Sequence, residues 1–207
     1  VEGVQAVFPS ITKFGMAAHL PGKEVSVNEK MDVFGDGNPT ASNAARGAIL
    51  AASNPDSVAV TYKDILQMKK QERRDLVAGK EVVYIYHDAI DAIDDKRPTE
   101  TKVFEACNDA INELTAIVKI IVNDLSGANI FITADHGFLY TYKPLEESQK
   151  IGRQTFSGDI LELGRRYALV TPETTADYLL PIKTDRAIGG VPMKGYAPQD
   201  TVRIKVQ

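Results

Sequence analysis

The chain has 207 residues, 43% hydrophobic and 25% charged, with a formal net charge of −4. Those values fit an ordinary globular domain able to bury a substantial core, and they exclude a globally basic field of the kind that gathers DNA. The single cysteine, Cys107, excludes an intrachain disulfide and a thiolate-only metal site; no apolar run is long enough to cross a membrane, and no secretory signal is legible at the start, so one domain in the cytoplasm is expected.

Taken in order, Val1 to Phe8 alternates imperfectly and predicts a strand. Pro9, Ser10, Ile11 and Thr12 then lead into apolar residues at helical spacing from Lys13 to Leu20, which places Thr12 at or near a helix start. Unpaired amides there stabilise a hydroxyl as it becomes an alkoxide; the alternative is a simple N-cap. Gly22 to Pro39 is polar and full of turn formers, so it reads as a loop or exposed hairpin. Thr40 to Ala52 predicts a helix capped by Thr40 or Ser42, Ser57 to Tyr62 a strand, and Lys63 to Ala78 one charged amphipathic helix closed by Gly79. Its basic cluster, Lys69, Lys70, Arg73 and Arg74, reads as a solvated face, the alternative being a local contact point for DNA, a partner that the net charge does not support.

Glu81 to Tyr86 predicts a strand, and at its end stand His87, Asp88, Asp91, Asp94 and Asp95. His87 and Asp91 are four apart, a spacing that puts both on one side of a helical turn and suits one metal ion; the alternative is a solvated acidic loop, the reading that fits Asp94 and Asp95. Thr101 to Leu125 carries a broad apolar stripe and predicts a core helix. The run Asn129 to Ala134 predicts a buried strand whose tip delivers Asp135 and His136, two metal-ligand types in succession, with Gly137 permitting a tight turn. A plain turn is the alternative there. Strand, long helix and strand in succession predict a right-handed parallel crossover, which would bring His87, Asp91, Asp135 and His136 to one sheet edge. Tyr140 to Gly164 reads as a loop and short hairpin, Arg165 to Val170 and Thr201 to Val206 as strands, and Gly189 to Pro198 as a flexible turn region.

Three blocks, PSITKFGMAAHLPG (Pro9 to Gly22), VVYIYHDAIDAIDD (Val82 to Asp95) and NIFITADHGFLY (Asn129 to Tyr140), together resemble the PglZ domain. That domain is a branch of the alkaline phosphatase superfamily found in bacterial phage-defence systems of the BREX and Pgl types. The resemblance implies an alkaline-phosphatase-like α/β fold with a mainly parallel central sheet flanked by helices. It also implies a metal-dependent phosphoesterase working on an unidentified phosphate ester with a pair of divalent ions, usually zinc. By the family's pattern Thr12 matches the nucleophile, which would form a covalent phosphothreonine. Asp135 and His136 match the ligands of one ion. His87 and Asp91 match the spacing of the other ion's ligands, although the superfamily's order is Asp before His.

Two departures accompany the resemblance. No strand ending in Asp precedes Thr12, which implies a fragment lacking the domain's first strand, and the three histidines, His19, His87 and His136, include no late ligand for a second ion. The runner-up reading is a catalytically degenerate scaffold in a defence complex. A nuclease would need a basic groove that the sequence does not supply. Other defence-system proteins are the expected partners.

Overall fold

The computed structural model describes residues 3, 5–90, 103–138, 145–184 and 188–206. They fall into two compact units, Val1–Ala41 with Pro144–Gln207 (unit 1) and Ser42–Lys143 (unit 2). In chain order the elements are α1 (Thr12–Ala18), β1 (Val25–Val27), β2 (Val33–Gly35), β3 (Asn38–Pro39), α2 (Asn43–Ser53), β4 (Ser57–Thr61), α3 (Tyr62–Gln67), α4 (Lys70–Val77), β5 (Val82–Tyr86) and α5 (Val103–Asp124). There follow β6 (Lys150–Ile151), β7 (Ile160–Leu163), β8 (Ala168–Val170), β9 (Leu179–Ile182), β10 (Gly189–Gly190), β11 (Lys194–Pro198) and β12 (Arg203–Ile204).

Unit 1 is built on short strands. One sheet runs β10-β1-β2-β3 and another β7-β8-β11-β9; every pairing in them is antiparallel except that of β1 with β10. The region read as a loop or exposed hairpin therefore holds three strands, β1 and β2 pairing antiparallel as a hairpin does and β3 adding to them. Its polar residues had masked the pattern, yet Val27, Met31 and Val33 point inward and pack in one core with Phe14, Tyr167 and Leu169. Two of the sheets' prolines, Pro39 in β3 and Pro181 in β9, lie on edge strands, where the missing N–H disturbs no inner ladder. The Gly189 to Pro198 region is likewise not a flexible turn. Within it β11 is an inner strand paired to both β8 and β9. The expected strand over Val1 to Phe8 is absent among the described residues.

Unit 2 centres on a parallel pair, β4 with β5, in register from Ser57↔Val82 to Thr61↔Tyr86. Ser42 caps α2 by accepting from Ala45 N at 3.1 Å. Thr40, the other candidate cap, is instead buried and donates to Val33 O at 2.9 Å. The expected single helix from Lys63 to Ala78 is two, because Met68 and Lys69 are extended. Thr61 caps α3 through Asp64 N, and the Glu72 carboxylate accepts Lys69 N at 2.6 Å to restart the helix as α4. The basic cluster is not merely solvated: Lys70 pairs with Asp124 at 2.6 Å, Arg74 donates to Asp124 O at 3.0 Å and Arg73 to Ile65 O at 2.8 Å. Three cations thereby serve the last turn of α5 and the end of α3, where helix carbonyls lack partners.

The strand expected from Asn129 to Ala134 does not form. These residues have no ladder, Phe131 is 92% and Ile132 62% exposed, and β5 pairs with β4 alone among the described residues. Composition made the run strand-competent, but an isolated strand leaves its amides and carbonyls to water. The α5 stripe is correspondingly covered on one side. Ala106, Ala110 and Ile117 are buried, whereas Phe104, Ile111 and Val122 are exposed. The architecture is thus α/β, with several small sheets, among them the parallel pairs β4 with β5 and β6 with β12, rather than clearly one mainly parallel central sheet among the described residues. Among the described residues no helix is long and apolar enough to cross a membrane.

Candidate functional site

Asp135 and His136 form a close two-donor unit in the stretch after α5. The His136 amide donates to Asp135 Oδ1 at 3.0 Å, which folds the carboxylate back along the chain. The ring's Nδ1 lies 2.7 Å from Gly137 O. A carbonyl only accepts, so Nδ1 carries the hydrogen, and in the neutral ring Nε2 is the lone-pair nitrogen. That nitrogen stands 3.5 Å from Asp135 Oδ2, and Oδ2 is buried with no hydrogen-bond partner. With metal–ligand bonds near 2.0–2.2 Å, two ligands of a tetrahedral ion lie about 3.4 Å apart. The pair therefore fits two corners of one divalent cation's shell, and the Nδ1–H to carbonyl bond is the support that metal-binding histidines usually have. No third His, Cys, Asp or Glu joins them among the described residues.

Thr12 lies in unit 1 and the other sequence-derived candidates in unit 2. Thr12 is the first residue of α1; Ile11 occupies the cap position, extended and with no side-chain cap bond, so Thr12 is helical and not the N-cap. Its neighbours fix the helix. Phe14 is wholly buried, and Phe8 packs so closely on Gly195 that a Cβ there would overlap the ring. Lys13 reaches Glu162 Oε2 at 2.5 Å and Met31 O at 2.9 Å.

His87 follows β5, and its Nε2 sits 2.5 Å from Glu113 Oε2 of α5, with the Tyr62 ring edge-on at 5.0 Å. Beside it Lys63 donates to Asp88 at 2.8 Å. That hydrogen bond is the main cause holding the Asp88 carboxyl below its ordinary range. Burial first, and the Glu113 charge second, push the Tyr62 phenol up. The ends of the parallel pair thus do carry the polar groups, as parallel strands lead one to expect. Asp91, Asp94 and Asp95 lie outside the described residues. Because Asn129 to Ala134 is not paired with β5, the crossover that was to bring His87 to Asp135 and His136 is absent. Sequence reasoning missed Glu113. It carried no local signal, since the partner that gives it a role, His87, lies 26 residues away in sequence.

The family described as "BREX system PglZ alkaline phosphatase-like domain" matches residues 1–207. The chain is 35% identical over 189 residues to the "Alkaline phosphatase-like protein PglZ" of Bacillus cereus (strain H3081.97), covering 91% of this chain and 22% of that protein. It is 39% identical over 165 residues to the "Alkaline phosphatase-like protein BrxZ" of Escherichia coli O9:H4 (strain HS), covering 79% of this chain and 19% of that protein. The chain therefore spans about a fifth of the length of these curated relatives. No solved structure matches it.

Proposed function

The chain belongs to the PglZ family of alkaline phosphatase-like domains of BREX systems, and from that premise we propose that it contributes a nucleophile and a cation site to a phosphoesterase working beside other components of a defence system. Thr12 is the nucleophile. Its Oγ1 bonds to phosphorus as its proton passes to water, and the ester oxygen departs with the electrons of the broken P–O bond and takes a proton from water. Water then cleaves the Oγ1–P bond, releasing phosphate and restoring the hydroxyl. Asp135 Oδ2 and His136 Nε2 would hold a divalent cation, zinc by the superfamily's habit. When bound, such a cation would supply Lewis-acid positive charge.

The observation that supports this reading best is the buried Oδ2 without a hydrogen-bond partner, 3.5 Å from His136 Nε2. His87 and Asp91 are proposed for a second, weakly held cation that dialysis would remove. Since Glu113 already engages Nε2 of His87, Nδ1 is the nitrogen that would serve. The alternative, a non-catalytic scaffold in the same defence complex, is favoured by one fact: two donors, and not three, cluster among the described residues.

The test is turnover of a phosphomonoester and a phosphodiester by the protein expressed from its full gene, stripped of metal and then supplied with zinc. Thr12→Ala should abolish turnover while keeping the cation, and Asp135→Asn should lose the cation as counted by elemental mass spectrometry. One tightly held cation per chain is expected. A fully active Thr12→Ala protein would sink the nucleophile; two cations retained after dialysis would contradict the single strong site.

A further inference from the structure

We propose that Glu162 and Tyr167 are positioning residues which, acting through Lys13, set the direction in which Thr12 presents its hydroxyl; the inference rests on Thr12 being the nucleophile. The starting point is the weakness of α1 on its own. It has seven residues and no side-chain cap, far below the length at which a helix holds itself together in water. Its position and its rotation about its own axis must come from tertiary contacts.

Two neighbouring side chains supply them in different ways. Phe14, fully buried, fixes how deep the helix sits. Lys13 fixes its rotation, because its ammonium is tied to two separate segments: Glu162 Oε2 of β7 at 2.5 Å and Met31 O at 2.9 Å. Both anchors are themselves held. Met31 takes φ 62 in a turn organised by Asn28, whose side-chain oxygen accepts from Lys30 N and Asp32 N. The second oxygen of Glu162 accepts the Tyr167 hydroxyl at 2.6 Å. Burial, reinforced by that bond, holds the Tyr167 phenol protonated far above its ordinary range, so it stays a donor. Gly164 leaves room for the Tyr167 ring, which a Cβ would strike.

Consecutive helical residues are about 100° apart around the axis, so a tether at Lys13 resists the rotation that would swing Thr12. With side-chain oxygens some 3–4 Å from the axis, a turn of about 20° moves the hydroxyl by about 1 Å. A displacement of that size costs up to about 100-fold in rate. Glu162 touches no reacting atom in this scheme.

The experiment uses the protein from its full gene and compares Glu162→Gln, Tyr167→Phe, Lys13→Met and the double variant Lys13→Met/Glu162→Gln. Loss of the carboxylate should lower kcat by about tenfold with KM unchanged, since Met31 O still holds Lys13. Tyr167→Phe should lower it less. The double variant should be no slower than Lys13→Met alone, because Glu162 acts only through that lysine. Unchanged kcat in Glu162→Gln, a change confined to KM, or losses that multiply would overturn the proposal.

A second readout needs no turnover. Amide hydrogen exchange across Thr12–Ala18 should quicken by about tenfold in Glu162→Gln while α2 exchanges as before. Unaltered exchange in α1 overturns the clamp even if Thr12→Ala is inactive. A fully active Thr12→Ala with quickened exchange in Glu162→Gln instead defeats the nucleophile and leaves the clamp as a purely structural device.

Discussion

Thr12 and Asp135 each have a phenylalanine close by in sequence, and the two rings fare oppositely: Phe14 is fully buried, whereas Phe131 is 92% exposed. The Thr12 segment is enclosed by β-strands of unit 1, with Val27, Met31, Val33 and Leu169 in one core around Phe14. The Asp135 segment follows a long helix and pairs with no strand among the described residues. Both stretches are apolar enough to be buried. Apolar composition states a need for cover, while only neighbouring elements satisfy it, and the two candidate groups accordingly stand on supports of different kinds: close packing at Thr12, and local hydrogen bonds at Asp135 and His136.

The largest expected effect tests that contrast directly. Phe14→Ala should destabilise the protein by about 3–5 kcal/mol, the range for a large aromatic removed from a closed core. Phe131→Ala should change stability by less than about 0.5 kcal/mol, as exposed sites do. Urea unfolding of both variants decides it, and a comparable loss at Phe131 would show that the segment is covered after all.

Glycines sharpen the same contrast at smaller scale. A methyl at Gly195 would overlap the Phe8 ring, whereas one at Gly137 meets nothing within 4 Å. Gly195→Ala is therefore expected to cost about 1–3 kcal/mol through overpacking. Gly137→Ala should be near neutral, with cation binding retained. Calorimetry of the two variants side by side measures the difference.

Local rules were legible where a local cause sufficed. The capped start of α2, narrowed to Thr40 or Ser42, the β4 and β5 strands, the α5 helix and the start of α1 all follow from patterns within a few residues. What escaped depended on distant partners. The inner strand β11 contains Gly195 and Pro198, both of which argue for a turn, and it forms because β8 and β9 flank it on either side. The break at Met68 and Lys69 carries no proline or glycine, and its cause is the competition of two good caps, Thr61 and Glu72. Thr12, Asp135, His136 and His87 could be named as candidates from residue type and resemblance alone. Glu113 and Glu162 could not, since each is defined by a partner more than twenty residues away.

Ser42→Ala asks whether unit 2 leans on its end contacts as unit 1 leans on its core. The cap bond to Ala45 N is exposed, and its loss should cost about 1 kcal/mol. A thermal melt with unchanged α1 exchange would localise the effect to α2. No measurable loss would mean that packing, not capping, starts this helix.

The smallest effect concerns Asp124, where α5 ends against α4. A carboxylate at a helix C-terminus is opposed by the helix dipole, yet here Lys70 at 2.6 Å and Arg73 at 3.9 Å face it, with Arg74 on its carbonyl. The Lys70 hydrogen bond is the main cause holding its pKa below the ordinary 3.8, with the charges of Lys70, Arg73 and Arg74 adding to it. The sign follows from that depression. Folding favours the ionised form, so the contribution is fully present above the ordinary value and is lost as pH falls through the folded-state pKa below it. Lys70 is 56% exposed, so solvent and salt screen the pair and the gain is modest. Asp124→Asn should therefore flatten the acid limb of the stability curve below about pH 4 and leave pH 7 stability only slightly reduced. Urea midpoints of the two proteins, taken from acid to neutral pH at low and high salt, would show the gap closing in acid and narrowing with salt. Parallel curves at every pH would mean that α5 is held by Ile117 and its apolar neighbours alone, and that unit 2 resembles unit 1 more closely than its exposed surfaces suggest.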